Sequence, residues 1–275
     1  MSIDAHQHYW DPARGDYGWL KPELKTLYRV FDPEDLAPLR QVTDVRRTVV
    51  VQAAPTVDET RYLLDLARSE DSIAGVVGWV PLDSPDAPAI IDEFVHEPKF
   101  KGVRPMLQDL TDDTWIEHAP REQAIERLID LDLALDALIF ARHVPSLIKF
   151  AKRYPKLRIV IDHGGKPAIR DGVWKPWADG IAQLAELSQN IHCKISGLVT
   201  EAAPNPSDEI LKPYVTHLIE QFGSQRLMWG SDWPVLNLNG SYTDWHATAK
   251  RLTAHLEKTE QEAIFGANAR AFYRL

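Results

Sequence analysis

Short apolar segments alternate with longer amphipathic segments along the chain. Several short segments are almost continuous apolar runs, such as Thr48-Val49-Val50-Val51 and Arg158-Ile159-Val160-Ile161, which is typical of strands covered on both faces. The alternation predicts βα units and a parallel sheet. The predicted strands cover residues 3–8, 48–53, 73–80, 102–106, 133–140, 158–162, 192–196 and 226–230.

Apolar residues at helical spacing predict helices between these strands. In residues 58–69, for example, an Asp-Glu pair suits a helix N-terminus, and Leu63, Leu64 and Ala67 form an apolar stripe. The predicted helices cover residues 58–69, 86–95, 121–131, 144–153, 177–189, 207–222 and 244–256. Eight strands followed by helices are the number that closes a barrel. The predicted fold class is therefore α/β, a single-domain (β/α)8 TIM barrel over residues 1–275.

Composition narrows the classes of function. The net charge of −9 argues against partners such as nucleic acid or an anionic membrane, but it does not exclude an anionic substrate. No apolar run reaches the ~20 residues of a transmembrane helix, and no signal peptide is expected before the first strand. The single cysteine, Cys193, suits a reducing compartment, so a cytoplasmic location is expected. Its apolar neighbours predict a buried core residue rather than a nucleophile.

Polar residues at the carboxyl ends of three predicted strands form the first candidate site. His6 and His8 end the first strand one residue apart, so the two-residue strand period points both imidazoles to the same side. His163 follows the sixth strand, and Asp232 follows the eighth, which neighbours the first in a closed barrel. Each residue alone has an ordinary explanation as a strand-end or turn residue. Their joint placement at the mouth predicts a catalytic centre.

Four further residues are candidates for substrate binding. Arg104 ends the fourth strand, where its guanidinium would bind a carboxylate or hydroxyls, or instead pair with an acid at the barrel end. Trp10 and Trp115 lie in the long first and fourth βα loops, where their rings would stack on a sugar or simply close the barrel top. Glu201, after the seventh strand, is a candidate for recognising a hydroxyl group.

Three motifs resemble the amidohydrolase superfamily, specifically its amidohydrolase-2 branch. They are His6-Gln7-His8, Asp162-His163-Gly164-Gly165-Lys166-Pro167 and Gly230-Ser231-Asp232-Trp233-Pro234. Within this branch, residues 4–12, 101–104 and 193–201 resemble sugar-acid lactonases of the L-fuconolactonase and L-rhamnonolactonase type.

The resemblance implies a hydrolase that opens the lactone ring of a sugar acid, L-fucono-lactone or a related deoxy-sugar lactone, with an activated water. It implies that Asp232 and His163 are catalytic, and that His6, His8 and Asp232 surround a divalent metal, with zinc the expected ion. Some lactonases of the branch work without metal, so the metal is not expected to be essential in every case. Many metal-dependent members have a ligand histidine after strand five, where this chain has only His143, at the start of the next helix.

Two other functions are compatible with parts of the pattern. A metal-dependent decarboxylase of the same branch is the first alternative, and the missing strand-five histidine counts against it. A non-catalytic barrel acting as a binding module is the second, but such a barrel would be expected to lose some of the polar strand-end residues. No Gly-x-Ser-x-Gly motif is present, so nothing supports an acyl-enzyme route.

Overall fold

Eight parallel strands in sequential order form one sheet in the structure, a computed structural model that describes residues 1–275. Every predicted strand is present, and each predicted end lies within three residues of the observed one. The strands are β1 (Ser2–Gln7), β2 (Val45–Val51), β3 (Ile73–Gly78), β4 (Phe100–Val103), β5 (Ala134–Ala137), β6 (Arg158–Ile161), β7 (Ile191–Ile195) and β8 (Leu227–Trp229).

The sheet closes between the segment after β8 and strand β1. The Asp232 N–H donates to the His6 carbonyl at 2.8 Å, and the His8 N–H donates to the Trp233 carbonyl at 2.7 Å. The architecture is therefore a (β/α)8 barrel, and the fold predicted from the sequence is confirmed.

Helices surround the barrel. They are α1 (Pro33–Thr43), α2 (Val57–Ser69), α3 (Ala87–Phe94), α4 (Trp115–His118), α5 (Glu122–Asp130), α6 (Val144–Arg153), α7 (Lys175–Leu187), α8 (Leu198–Glu201), α9 (Asp208–Phe222), α10 (Tyr242–Leu252), α11 (Lys258–Glu262) and α12 (Asn268–Tyr273). None of them combines the length and the apolar content needed to cross a membrane. All seven helical ranges predicted from the sequence correspond to helices of the structure.

Helix α1 was not predicted from the apolar pattern. Leu36 is its only buried residue, so its sequence has almost no apolar stripe. The sequence does contain a helix-capping residue at the start of α1. The Asp32 side chain accepts hydrogen bonds from the N–H groups of Glu34 and Asp35.

The C-terminal helix α12 covers the amino ends of the strands. Phe272 and Ala269 join Ile3 and Met228 in the apolar cluster inside the barrel. The Asn268 side-chain amide donates to the carbonyl of Leu227 at 2.6 Å, which ties the helix to β8. The amino end of the barrel is thus closed by apolar packing, and the opposite end is left for polar groups.

Burial of His192 on β7 makes stability depend on pH. Its ring lies 4.7 Å from that of Phe272, and burial, reinforced by Arg226, lowers its pKa to about 4. Because the folded pKa lies below the unfolded value of about 6.5, the unfolded chain binds more protons between these values. The stability that neutral His192 contributes is complete above the unfolded pKa and is lost as pH falls toward 4.

The contribution of His192 is the free energy of unfolding of the parental protein minus that of His192→Gln. We therefore expect this difference to fall as pH decreases from about 6.5 to about 4, with a slope that corresponds to the uptake of at most one proton on unfolding. Urea denaturation at several pH values measures the difference. His255→Gln, at an exposed position, is the control. A difference that stays constant over this range would contradict the assignment.

Candidate active site

The four strand-end residues identified in the sequence meet at the carboxyl end of the barrel. The Nε2 atoms of His6 and His8 are 3.2 Å apart, and Asp232 Oδ1 lies 3.3 Å from His8 Nε2. The same oxygen lies 3.8 Å from the Nε2 atoms of both His6 and His163. All four side chains are buried.

An irregularity in β1 brings both histidines to the inner side of the barrel. The register of the β1–β2 pair shifts between Asp4 and Gln7, and Ala5 still belongs to the apolar interior. A bulge in a strand changes the direction of the side chains that follow it. The shift therefore allows apolar Ala5 and polar His6 to share the inside of the barrel, with His8 following at the two-residue period.

His163 and Asp232 both occupy the left-handed region of backbone conformation, with φ of 54° and 60°. Such conformations are uncommon for residues other than glycine and cluster at functional sites. Gly197, after β7, approaches His163 so closely that a Cβ there would lie 2.6 Å from the His163 ring carbon Cγ. The turns after β6, β7 and β8 thus pack tightly around the site.

Hydrogen bonds at the Nδ1 atoms orient the imidazoles. His8 Nδ1–H donates to the Val51 carbonyl at 2.7 Å, which leaves the Nε2 lone pair facing Asp232. His163 Nδ1 lies 3.0 Å from the Ser196 hydroxyl. His6 Nδ1 contacts Lys194 Nζ at 3.0 Å and Asp162 Oδ1 at 3.2 Å.

The surroundings of the site give Asp232 and His163 different charge states at neutral pH. Burial opposes ionisation of Asp232, but the nearby His163 and the contacts with His8 and His6 outweigh it and hold the pKa of this carboxyl well below its usual range. Burial lowers the pKa of His163 to about 4, even though Asp232 and Asp162 oppose the shift. At neutral pH the site therefore contains an anionic carboxylate beside a neutral imidazole.

The spacing of His6, His8 and Asp232 fits a metal ion. Their ligand atoms lie within 4.8 Å of one another. Four tetrahedral ligands at bond lengths of about 2.0–2.1 Å are roughly 3.4 Å apart, close to the 3.2, 3.3 and 3.8 Å separations of these atoms. The buried carboxyl groups of Asp136, Asp162 and Asp232 outnumber the buried cations Arg104 and Lys194, an imbalance that favours a bound cation.

His143 does not complete this ligand set. Its Nδ1 accepts a hydrogen bond from the Phe140 N–H at 2.9 Å, and its Nε2 lies 3.2 Å from Asp113 Oδ1. It belongs neither to this group nor to the second group with suitable spacing, which is His6, Asp162 and His163. Strand five therefore contributes no histidine to the site.

A cavity of about 290 Å³ opens above the cluster. Its lining combines aromatic, aliphatic and polar side chains, as is typical of small-molecule sites. The lining residues are His8, Trp10, Trp19, Ala53, Arg104, Met106, Gln108, Asp109, Leu138, His163, Lys166, Thr200, Glu201, Asp232, Val235 and Leu238.

Three of the four candidate substrate-binding residues line this cavity, and Trp115 does not. Trp10, Arg104 and Glu201 are at the wall, whereas Trp115 begins helix α4 and packs against the main core. Arg104 lies at the wall and also pairs with an acid at the barrel end, because its Nη1 lies 3.6 Å from the Asp162 Oδ2 atom.

Lys166 and Trp19 are wall residues that the sequence reasoning did not single out as binding residues. Lys166 pairs with Glu201 at 2.8 Å, and Trp19 Nε1–H donates to the Ala53 carbonyl at 2.7 Å. The signal for Lys166 was its place in the same turn as His163.

The chain is similar over nearly its whole length to known amidohydrolases, including two lactonases. The model of a family described as Amidohydrolase matches residues 3–275. An L-fucono-1,5-lactonase of Burkholderia ambifaria is 48% identical, over 99% of this chain and 95% of the relative. An L-fucono-1,5-lactonase of Burkholderia multivorans is 34% identical, over 100% and 96%. The crystal structure of a Burkholderia multivorans amidohydrolase with bound zinc has a TM-score of 0.91 at 33% identity and covers 100% of this chain and 99% of its own.

Gly230 allows the end of β8 to approach the site. A Cβ at this position would lie 2.7 Å from His6 Cβ and 3.1 Å from the His6 N atom. We expect Gly230→Ala to displace His6 and to lower the free energy of unfolding by about 1–3 kcal/mol, as overpacking does. Urea denaturation and a crystal structure of the variant measure both effects.

Gly18→Ala is the matched control, because a Cβ at Gly18 meets no atom within 4 Å. A Gly230→Ala protein as stable as the parental one, with an unmoved His6, would show that this close approach is not a constraint.

Proposed function

Because the chain belongs to the amidohydrolase family and hydrolyses sugar-acid lactones, we propose that His6, His8, His163 and Asp232 form its active site and that L-fucono-1,5-lactone is its substrate. The observation that carries the assignment of the site is the convergence of these buried side chains at the carboxyl end of the barrel. His8, His163 and Asp232 line the cavity, and His6 lies directly behind them, in contact with His8 and Asp232. The decarboxylase alternative has less support, because the relatives at 48% and 34% identity are both lactonases.

The cavity wall suits a small polyhydroxylated ring. Trp19 presents aromatic surface, which packs well on the C–H face of a sugar. Trp10 lies at the same wall as a fully buried ring, and its centroid is 5.3 Å from that of Trp19. Arg104, Lys166 and Glu201 place charged hydrogen-bonding groups around the same space. We assign these five residues to substrate binding. Trp115 is not included, because it lies outside the wall.

Asp232 is the group we assign to proton transfer. Its contacts with the three imidazoles all use Oδ1, which leaves Oδ2 to accept a proton from the attacking water. The water oxygen bonds to the lactone carbonyl carbon while Asp232 takes its proton. The bond between this carbon and the ring oxygen then breaks, and the proton moves from Asp232 to the departing alkoxide. The product is the open-chain sugar acid.

His163 is placed to stabilise the carbonyl oxygen as negative charge develops on it. When its Nδ1 accepts from the Ser196 hydroxyl, at 3.0 Å, its Nε2–H is the available donor on the cavity side. Because the pKa of His163 is lowered to about 4, its imidazole is neutral at neutral pH and can donate this Nε2–H to the carbonyl oxygen. The guanidinium of Arg104 adds positive charge at the same wall.

His6, His8 and Asp232 are the residues we assign to a divalent metal, and we propose zinc as the ion. The spacing of their ligand atoms and the excess of buried carboxyl groups support this set. When bound, such an ion polarises the lactone carbonyl and lowers the pKa of a water molecule beside it.

We further propose that the protein acts in the cytoplasm. Its single cysteine, Cys193, is free and buried, which suits a reducing compartment. Burial raises the pKa of the Cys193 thiol, so this residue is a core residue and not a nucleophile.

Asp232→Asn tests the assignment of the base. The substitution keeps the size of the side chain and removes the anionic oxygen, so we expect kcat for lactone hydrolysis to fall about 10²- to 10⁴-fold or more. Proton release from L-fucono-1,5-lactone measures the rate. Asp179→Asn, at an exposed position on α7, is the control. A well-folded Asp232→Asn protein with near-parental kcat would show that water is activated elsewhere.

A panel of aldonolactones, assayed with and without chelator, tests the substrate and the metal. We expect the highest kcat/KM for L-fucono-1,5-lactone, a loss of kcat on chelation and its recovery on addition of zinc. Full activity in protein shown to be metal-free would leave the cluster as an acid/base site without metal. Absence of turnover with every lactone, in zinc-loaded protein, would overturn the proposed substrate class.

A further inference from the structure

A buried polar chain lies directly below the site. The hydroxyl of Tyr273, on α12, donates to Asp136 Oδ2 on β5 at 2.8 Å, and Asp136 Oδ2 pairs with Lys194 Nζ on β7 at 2.5 Å. Lys194 Nζ in turn lies 2.9 Å from Asp162 Oδ1 and 3.0 Å from His6 Nδ1. The side chains of Lys194, Asp136 and Asp162 have no exposed surface. The reaction described above does not use Tyr273, Asp136 or Lys194.

His6 Nδ1 lies between a donor and an acceptor. Lys194 Nζ, at 3.0 Å, can only donate, and ionised Asp162 Oδ1, at 3.2 Å, can only accept. A ring nitrogen of a neutral imidazole either accepts or donates. The two contacts therefore favour opposite tautomers of His6, with no change in the net charge of the ring.

The surroundings of Nε2, on the other side of the His6 ring, determine which partner each tautomer of His6 can bind. His8 donates through Nδ1 to Val51, so its Nε2 is an acceptor, 3.2 Å from His6 Nε2. If Lys194 donates to His6 Nδ1, the ring carries its proton on Nε2 and donates to His8. If His6 Nδ1–H donates to Asp162, two nitrogen lone pairs face each other, an arrangement that a cation between them stabilises.

We propose that Lys194 and Asp162 set the tautomer of His6 and thereby how tightly the site holds its metal. Lys194 favours the Nε2–H ring, which cannot act as a ligand, and Asp162 favours the Nδ1–H ring, which presents the Nε2 lone pair. The inference rests on the proposed role of His6 as a metal ligand. Both are positioning residues, because they act through His6 and lie below the cavity.

The two residues have opposite effects on zinc binding. Removal of Asp162 weakens binding and removal of Lys194 strengthens it, whereas general damage to the barrel interior weakens binding in both cases. Lys194→Met alone would also remove a positive charge near the metal. The double variant Lys194→Met/Asp136→Asn removes one positive and one negative charge, so a change in its affinity reports the lost donor to His6.

Competition with a chromophoric chelator measures the Kd for zinc. We expect Asp162→Asn to bind zinc about 10- to 100-fold more weakly than the parental protein, as is typical when a hydrogen-bond partner of a ligand is lost. We expect the double variant to bind zinc more tightly than the parental protein. Tyr273→Phe, which removes one hydrogen bond at the far end of the same chain, is the control and should have near-parental affinity.

Nitrogen-15 NMR of the imidazoles tests the inference without a substitution. In the parental protein we expect His6 to be protonated at Nε2 when the metal has been removed and at Nδ1 when zinc is bound. The same His6 tautomer in both samples, or weaker zinc binding by the double variant, overturns the inference.

Lactone hydrolysis by the same samples separates this inference from the proposed function. Zinc affinities and tautomers that change as expected, in a protein that opens no lactone, would reject the function alone. Hydrolysis by a parental protein whose His6 tautomer and zinc affinity do not respond to these groups would reject the inference alone.

Discussion

The hydrogen bonds that close the barrel between β8 and β1 are the interactions on which the site depends. Asp4 Oδ1 accepts from the N–H groups of His6, at 3.1 Å, and Ser231, at 2.9 Å, and the Asp232 N–H donates to the His6 carbonyl at 2.8 Å. These bonds join the two ends of the sheet and, in doing so, place Asp232 beside His6 and His8. The proposed reaction centre is therefore part of the barrel's closure, and a shift of one residue along this seam would separate its members.

Burial of so many charged groups is sustained because each has a partner. An ionised group inside a protein is costly unless it is paired or hydrogen-bonded. Asp4 is bound by backbone N–H groups, Asp136 and Asp162 pair with Lys194, and Asp232 lies among three imidazoles, where the proposed metal ion would balance its charge. The amino half of the barrel is apolar and is closed by α12. Tyr273, Asp136, Lys194 and Asp162 form a polar column that leads from α12 to the mouth.

Local sequence patterns were sufficient to predict the strands and to identify the four strand-end residues that meet at the mouth, but not to predict the parts that depend on distant contacts. Buried strands appear as apolar runs, and groups at their carboxyl ends must share one mouth. Helix α1 has one buried residue, Leu36, and so no periodic signal. Lys194 meets Asp136, 58 residues away, only after the barrel has closed. Trp115 was expected at the mouth, but the short helix α4 packs its ring against the core.

A crystal structure with the product of the reaction, the open-chain sugar acid, tests the location of the chemistry most directly. We expect the product carboxylate in the cavity, within hydrogen-bond reach (about 2.6–3.2 Å) of His163 Nε2 and facing Asp232. A product bound with its carboxylate outside this cavity, or directed away from both His163 and Asp232, would show that the chemistry takes place elsewhere.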